Sequence, residues 1–384
     1  MMMGLAKHTF AFGSSSFDMG SDFFNALNFL GYFKNSSATN ETFSSSNSSF
    51  SLSNTSNITI RNVEESMVAI EDQVHQIWGI ISMALIFLPG FGFAFPNVIK
   101  SIYKEEWYDA FVCLGASIFF PIFFLGYQLN VIIKTCLKRK VVQSEQIIMT
   151  SLTGAEAAIE STGQLMLQLI TIIYGYPSTT NQKITIISSF VQIGRAAILN
   201  DIETKIWINK QEPLTFCQSL IQTLKMIPMY VPTIVFRVGS MVVTMAYLRF
   251  YSIIPISLLL IEMAFVGWVR FRKMWKTSDR REYVATLTMS NVGVFNAYSP
   301  FQGQEWDWDD ENEEDINNFI VRSNITTFIH HTIVISIIMG VGFFQPSFFL
   351  PALILKPEDG TFYMVLGGNI GMGALSLTIN LCRV

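Results

Sequence analysis

Cysteine is scarce in this 384-residue chain: Cys113, Cys136, Cys217 and Cys382 are the full set, and none stands in a CxxC or other ligand spacing. A disulfide framework and a thiolate metal site are therefore not expected. P-loop, HExxH, GxSxG and kinase signatures are missing too, so the sequence offers no ground for an enzyme or a cofactor. His330 and His331 are adjacent, point in different directions on a helix, and read as packing or interfacial residues rather than metal ligands. Charge is low at 14% against 50% hydrophobic residues, and the mean hydropathy of +0.39 lies outside the range of soluble domains. Short alternating segments of the β-barrel kind do not occur. Residues 1–33 do not end in an A-x-A-like site and carry Asp18 and Asp22, which argues for a first span over a removed signal peptide. The net charge of -4 names no partner, and no nucleic acid is expected.

What the chain does hold is long apolar runs, each near the ~20 residues that a membrane-crossing helix needs. Eight are expected to span: 9–33, 77–99, 148–174, 184–206, 222–248, 252–270, 318–343 and 361–382. Two more apolar segments, 108–133 and 284–301, are interrupted by Gly115, Pro121 and Gly126 and by Gly293 and Pro300. If both crossed fully, the basic loops 134–147 and 270–283 would fall on opposite faces, against the positive-inside rule. If both dip in and return, both loops and both termini are cytoplasmic. Lys34, Arg61, Lys183, Arg249 and Lys356 then lie outside, with Arg195 and Arg237 inside the membrane. The expected fold is an all-α polytopic membrane protein of eight transmembrane helices plus two re-entrant segments, in one transmembrane domain.

That arrangement puts the Ser/Asn-rich loop 35–61 on the outer side, where its sequons at Asn35, Asn40, Asn47, Asn54 and Asn57 could be glycosylated. The sequon at Asn324 falls at a cytoplasmic helix entrance and is expected to be silent. The acidic stretch 302–317, with EWDWDDENEED at 305–315, reads as a solvated cytoplasmic loop.

A charged side chain at the bilayer centre costs about 3 kcal/mol on insertion scales, so each needs a partner, water or a task. Asp18 and Asp22 lie four apart, on one face of the first helix. Glu156, Glu160, Gln164 and Gln168 in GAEAAIESTGQLMLQL repeat every four residues, a slowly drifting polar stripe on an otherwise apolar helix. Arg195, with Asn200 and Asp201 beyond it, Arg237 and Glu262 complete the set. Two readings stay open: buried pairs that fix helix packing, or a polar path on which carboxylates attract an ammonium and arginines a phosphate.

Several of these segments together resemble the XK-related membrane proteins. FDMGSDFFNALNFLGY (17–32) is similar to that family's first helix with its D-x-x-x-D pair. FLPGFGFAFPNVIKSIYKEEWY (87–108) resembles its Pro-containing second helix and the turn that follows. AEAAIESTGQLMLQL (155–169) resembles its E-x-x-x-E-S-x-P-Q-L-x-L-Q signature, with Gly163 where the family usually has Pro. VFRVGSMVVTMAYL (235–248) resembles its S-R-V helix, with Phe236 before the Arg. The likeness covers most of 17–270 and fades afterwards.

The resemblance implies eight spans with two re-entrant segments, and energy-independent, weakly selective exchange of phospholipids between leaflets, including phosphatidylserine exposure at the plasma membrane. Asp18, Asp22, Glu156 and Glu160 match the family's acids. With Gln164, Gln168, Arg195 and Arg237 they are expected to line a headgroup path along which the acyl tails stay in lipid. The partners it implies are membrane phospholipids and a single-span accessory subunit or a second copy. Some family members are switched on when a caspase removes a cytoplasmic tail; the chain stops about where its last helix ends. A channel or secondary transporter, and a scaffold for a lipid-transfer partner, are the competing classes.

Overall fold

The structure is a computed structural model that describes residues 76–89, 105–137, 152–175 apart from 155, 180–208, 216–271, 313–349 and 353–383, with scattered earlier positions such as 19–23. Asp18, the glycosylation sequons of the 35–61 loop, the 284–301 segment, and most of the two basic loops and of the acidic loop lie outside the described residues. Among the described residues there are helices and turns and no strand.

In chain order the helices are α1 (Gln76–Pro89), α2 (Trp107–Ile118), α3 (Phe120–Cys136), α4 (Thr162–Ile173), α5 (Thr180–Ile208), α6 (Phe216–Leu248), α7 (Ile253–Phe271), α8 (Glu313–Phe344) and α9 (Gly360–Arg383). Among the described residues, three runs are long and apolar enough to cross a membrane: Gln218–Val266, Val321–Phe344 and Gly360–Cys382. The first, at 49 residues, is more than twice the ~20 that one crossing needs. Its chain turns back at Arg249, where φ is +50°, a backbone region that L-residues rarely enter. A short 3-10 turn over Arg249–Ser252 completes the reversal before α7 starts.

Side-chain pairings give the directions of the helices. Arg237 meets Asn324 while Val243, Ala246 and Tyr247 pack with Val334, Ile335 and Ile338, so α6 and α8 run parallel. Met263 meets Thr327 and Glu262 meets His330, so α7 runs against α8. Thr233 meets Ser376 and Tyr247 meets Phe362, so α9 runs against α6. Gln182 reaches Thr171 while Gln192 reaches Glu156, so α5 runs against α4. Direction thus alternates between α4 and α5 and again along α6, α7, α8 and α9, as short connections between packed helices require.

The central element is α6. One of its faces (Met229, Tyr230, Ile234, Val238 and Met241) shares an apolar cluster with α4 and α5, and another packs against α8 and α9. Pro228 and Pro232 lie within it, as packed membrane helices tolerate; the Thr233 hydroxyl folds back on its own helix and donates to the Met229 carbonyl at 3.0 Å. At one end, the Tyr247 hydroxyl donates to the Leu355 carbonyl and the Ile354 N–H donates to the Ile173 carbonyl, so the segment between α8 and α9 caps both α4 and α6.

The outer surfaces carry large apolar side chains in the open: Phe111 and Ile122 on α2 and α3, and Ile261 and Phe265 on α7. Such continuous apolar exposure is what a lipid-facing surface requires. In the 108–133 segment the helix breaks at Phe119 (φ -102°, ψ +30°), two residues before Pro121, whose ring and missing N–H favour a helix start. Gly115 and Gly126 stay inside helices. Helix α8 begins at Glu313, inside the stretch read as an acidic loop, and Asn324 therefore stands within the helix rather than at its entrance.

Candidate functional site

The sequence stripe on and before α4 is buried along its whole length: Glu156, Glu160, Gln164 and Gln168 are each 0% exposed. A π-turn over Ala157–Ser161 separates the two acids, with Glu160 inside it. Such turns, with one residue more than an α-turn, occur mostly at functional places in helices. Gly163 follows at once. A Cβ there would stand 2.6 Å from the Leu85 side chain, so the missing side chain lets α1 approach closely.

Facing this stripe is a second one, on α5, that sequence reasoning overlooked. Gln182, Thr185, Ser189 and Gln192 recur at three- and four-residue steps, and all are buried. The signal stood in TNQKITIISSFVQ, because that spacing puts all four on one helix face. The register follows from the contacts: Gln192 Nε2 donates to Glu156 Oε2 at 3.1 Å, and Gln182 Nε2 donates to Thr171 Oγ1 at 2.9 Å and to the Gln168 carbonyl at 3.4 Å. Arg195, half-buried one turn beyond Gln192, donates to Gln192 Oε1 at 3.3 Å. A carboxylate, an amide and a guanidinium are thus joined in sequence at one end of the α4–α5 seam.

The members of the α4 stripe differ in how their polar atoms are used. Gln164 is clamped to α1: Ser82 Oγ donates to its Oε1 and its Nε2 donates to the Ser82 carbonyl, both at 2.8 Å. Gln168 is the opposite case. Both its side-chain Oε1 and Nε2 lack a protein partner although the residue is fully buried, and so does Ser189 Oγ on the facing helix. An unpartnered buried amide costs about 1–3 kcal/mol, which is most easily met where water or a polar ligand enters.

A second polar seam joins α6 to α8 and α9. Thr233, Arg237, Ser240 and Thr244 line one face of α6, all at most 2% exposed. Thr233 pairs with Ser376 at 2.5 Å, Arg237 Nη2 donates to Asn324 Oδ1 at 2.6 Å, and the Asn369 amide bonds Ser240 at 2.8 Å. Gly373 and Gly239 let this seam close, since a Cβ on either would stand 2.6 Å from Phe236 or Asn369. On α8, His330 turns to Glu262 at 2.9 Å and His331 sits edge-on to Phe236, while the two imidazoles also meet edge-on with ring centroids 5.7 Å apart. No group of three metal-ligating side chains occurs among the described residues.

The sequence-predicted residues therefore separate. Glu156, Glu160, Gln168 and Arg195 gather at the α4–α5 seam, while Gln164 turns to Ser82 on α1. Arg237 bonds Asn324 in the α6–α8 seam instead, and that engagement buries the Asn324 sequon inside the bundle. Asp22 is buried one turn from Met19, which packs on Phe120 and Phe124 of α3 and on Leu152. No family model, curated protein or solved structure matches the chain.

Proposed function

We propose that this protein is a phospholipid scramblase of the XK-related kind, moving lipids between leaflets without an energy source. The headgroup travels along the α4–α5 seam while the acyl tails stay in hydrocarbon, because a bare phosphate in lipid would cost far more than the burial of any side chain here. The observation that carries this reading is that Gln168 and Ser189, on the facing helices α4 and α5, are fully buried with side-chain polar atoms that no protein group meets. Asn324 Nδ2 and His331 Nε2 in the α6–α8 seam are unpartnered as well, but those side chains are held through Arg237 and against Phe236. A conduit needs polar groups left for its cargo. Glu156 and Glu160 attract the amine of a zwitterionic or serine headgroup, and Arg195 receives the phosphate at the end of the seam. By the resemblance, Asp18 and Asp22 belong to the same path.

The same reading carries eight spans and two re-entrant segments with both termini cytoplasmic, a glycosylated outer loop at 35–61, a plasma-membrane location, and a second copy or single-span subunit as partner. The purified chain in vesicles of phosphatidylcholine and phosphatidylserine should exchange labelled lipid between leaflets without ATP, and Glu160→Gln should slow that exchange while the protein stays folded. Exchange no faster than in empty vesicles, in the presence of its single-span subunit, would refute the proposal. Ion or solute flux that tracks Glu160→Gln without lipid exchange would identify a channel or transporter instead.

A further inference from the structure

An α-helix advances about 100° per residue, so each four-residue step from Glu156 to Gln168 slips by about 40°, and the three steps together by about 120°. A regular helix would carry Glu156 a third of the way round from Gln168. Yet both are fully buried, with Glu160 and Gln164 between them. The π-turn over Ala157–Ser161 resolves this. Its extra residue takes back about 100° of the slip and brings Glu156 to within about 20° of Gln168. The drift expected from the sequence spacing is cancelled by the backbone. Thr162 stands at the end of this turn, and its backbone N–H and its hydroxyl both donate to the carbonyl of Ala157 five residues back, the hydroxyl at 2.8 Å.

We infer that Thr162 is a positioning residue: its two bonds to the Ala157 carbonyl hold the π-turn and thereby keep Glu156 in line with Gln168, on the face that meets Gln192 of α5. This rests on the reading of the α4–α5 seam as the lipid path, for which the alignment of acids and amides matters. A π-turn is less favourable than regular helix, and the Thr162 hydroxyl offsets part of that cost by adding a second bond to the carbonyl that already accepts the Thr162 N–H. Without it the segment relaxes toward regular helix. Glu156 then rotates by about 100° against Gln168, and the 3.1 Å contact between Glu156 and Gln192 is lost.

Paired cysteines read this rotation directly in the full-length purified chain, with the four native cysteines replaced by serine. Glu156→Cys with Gln192→Cys reports the segment before the π-turn; Thr171→Cys with Gln182→Cys reports the segment after it. Thr162→Val is expected to slow oxidative cross-linking of the first pair about fivefold, the effect of one buried hydrogen bond, and to leave the second pair unchanged. Thr162→Ser keeps the donor and should cross-link both pairs at the original rate. Deleting Ala158 removes the extra residue itself, so in the Thr162→Val background it should restore the first pair.

The inference is overturned if Thr162→Val links 156 to 192 at the original rate, or if deletion of Ala158 abolishes that link while 171 and 182 still join. Should Thr162→Val lose both links through misfolding, the single deletion decides: a retained first link supports the register role and a lost one, with the second intact, refutes it. Leaflet exchange is measured separately on Thr162→Val and Thr162→Ser with Glu156 and Gln192 in place. Cross-links that behave as stated beside unaltered exchange would sink the lipid-path reading and leave the register role of Thr162 standing.

Discussion

Replacing Gln168 by leucine sets stability against activity in one side chain. Gln168 is fully buried, and neither atom of its amide meets a protein group. Burying an amide in that condition costs about 1–3 kcal/mol, part of which water in the seam recovers. Leucine fills a similar volume with nothing to solvate, so Gln168→Leu should raise stability by about 1 kcal/mol, read as a higher midpoint of thermal unfolding in detergent. The backbone carbonyl of Gln168 keeps its donors, Thr171 Oγ1 and Gln182 Nε2, because neither involves the amide. Exchange should move the other way. If the amide supplies one hydrogen bond of about 1 kcal/mol to a passing headgroup, its loss slows leaflet exchange about fivefold. A drop in stability greater than about 1 kcal/mol would refute the reasoning, since it would mean that the amide is bonded in the working protein. Unchanged exchange in a stabilised variant would remove Gln168 from the path.

Gln164 should respond in the reverse sense. Gln164→Leu breaks both 2.8 Å bonds to Ser82 and should lower stability by about 1–2 kcal/mol, with exchange per folded molecule unchanged; a double-mutant cycle with Ser82→Ala should return a coupling near 1 kcal/mol, and strict additivity would show that the pair does not form. Arg237→Ala removes a charged donor from Asn324 and should destabilise by about 3 kcal/mol in thermal unfolding. If it instead abolished exchange at full stability, Arg237 would belong to the conduit and the α6–α8 seam would not be a simple zipper.

The helical architecture was legible in the long apolar runs, and the described residues are helical with three runs long and apolar enough to cross a membrane. The α4 stripe was legible too, since a carboxylate or amide every fourth residue on an apolar helix has to face protein or water. The matching stripe on α5 was equally written in the chain, but hydroxyls and amides at mixed three- and four-residue spacing stand out less than charges do. The reversal at Arg249 was legible as well, since the expected spans 222–248 and 252–270 part there with Arg249 between them. Two features were beyond sequence reasoning. The π-turn is a local change of backbone register at Ala157–Ser161 that no residue type announces. The partner of Arg237, Asn324, is 87 positions distant, and a long-range pairing between different helices has no local signature. Gly163, where the resemblance led one to expect proline, has its own reason: the Leu85 side chain occupies the space beside it.

The pairing of Glu262 with His330 bears on how the chain is made. Glu262 lies at the middle of α7, and its partner follows 68 residues later on α8. At ribosomal rates of about 5–20 residues per second, His330 is added some ~3–14 s after Glu262. Helix α7, with a carboxyl group at its centre, is therefore complete before the imidazole that will meet it has been synthesised. Until α8 is made, the Glu262 carboxyl lacks its His330 partner, so a nascent chain halted before His330 would hold α7 without this contact.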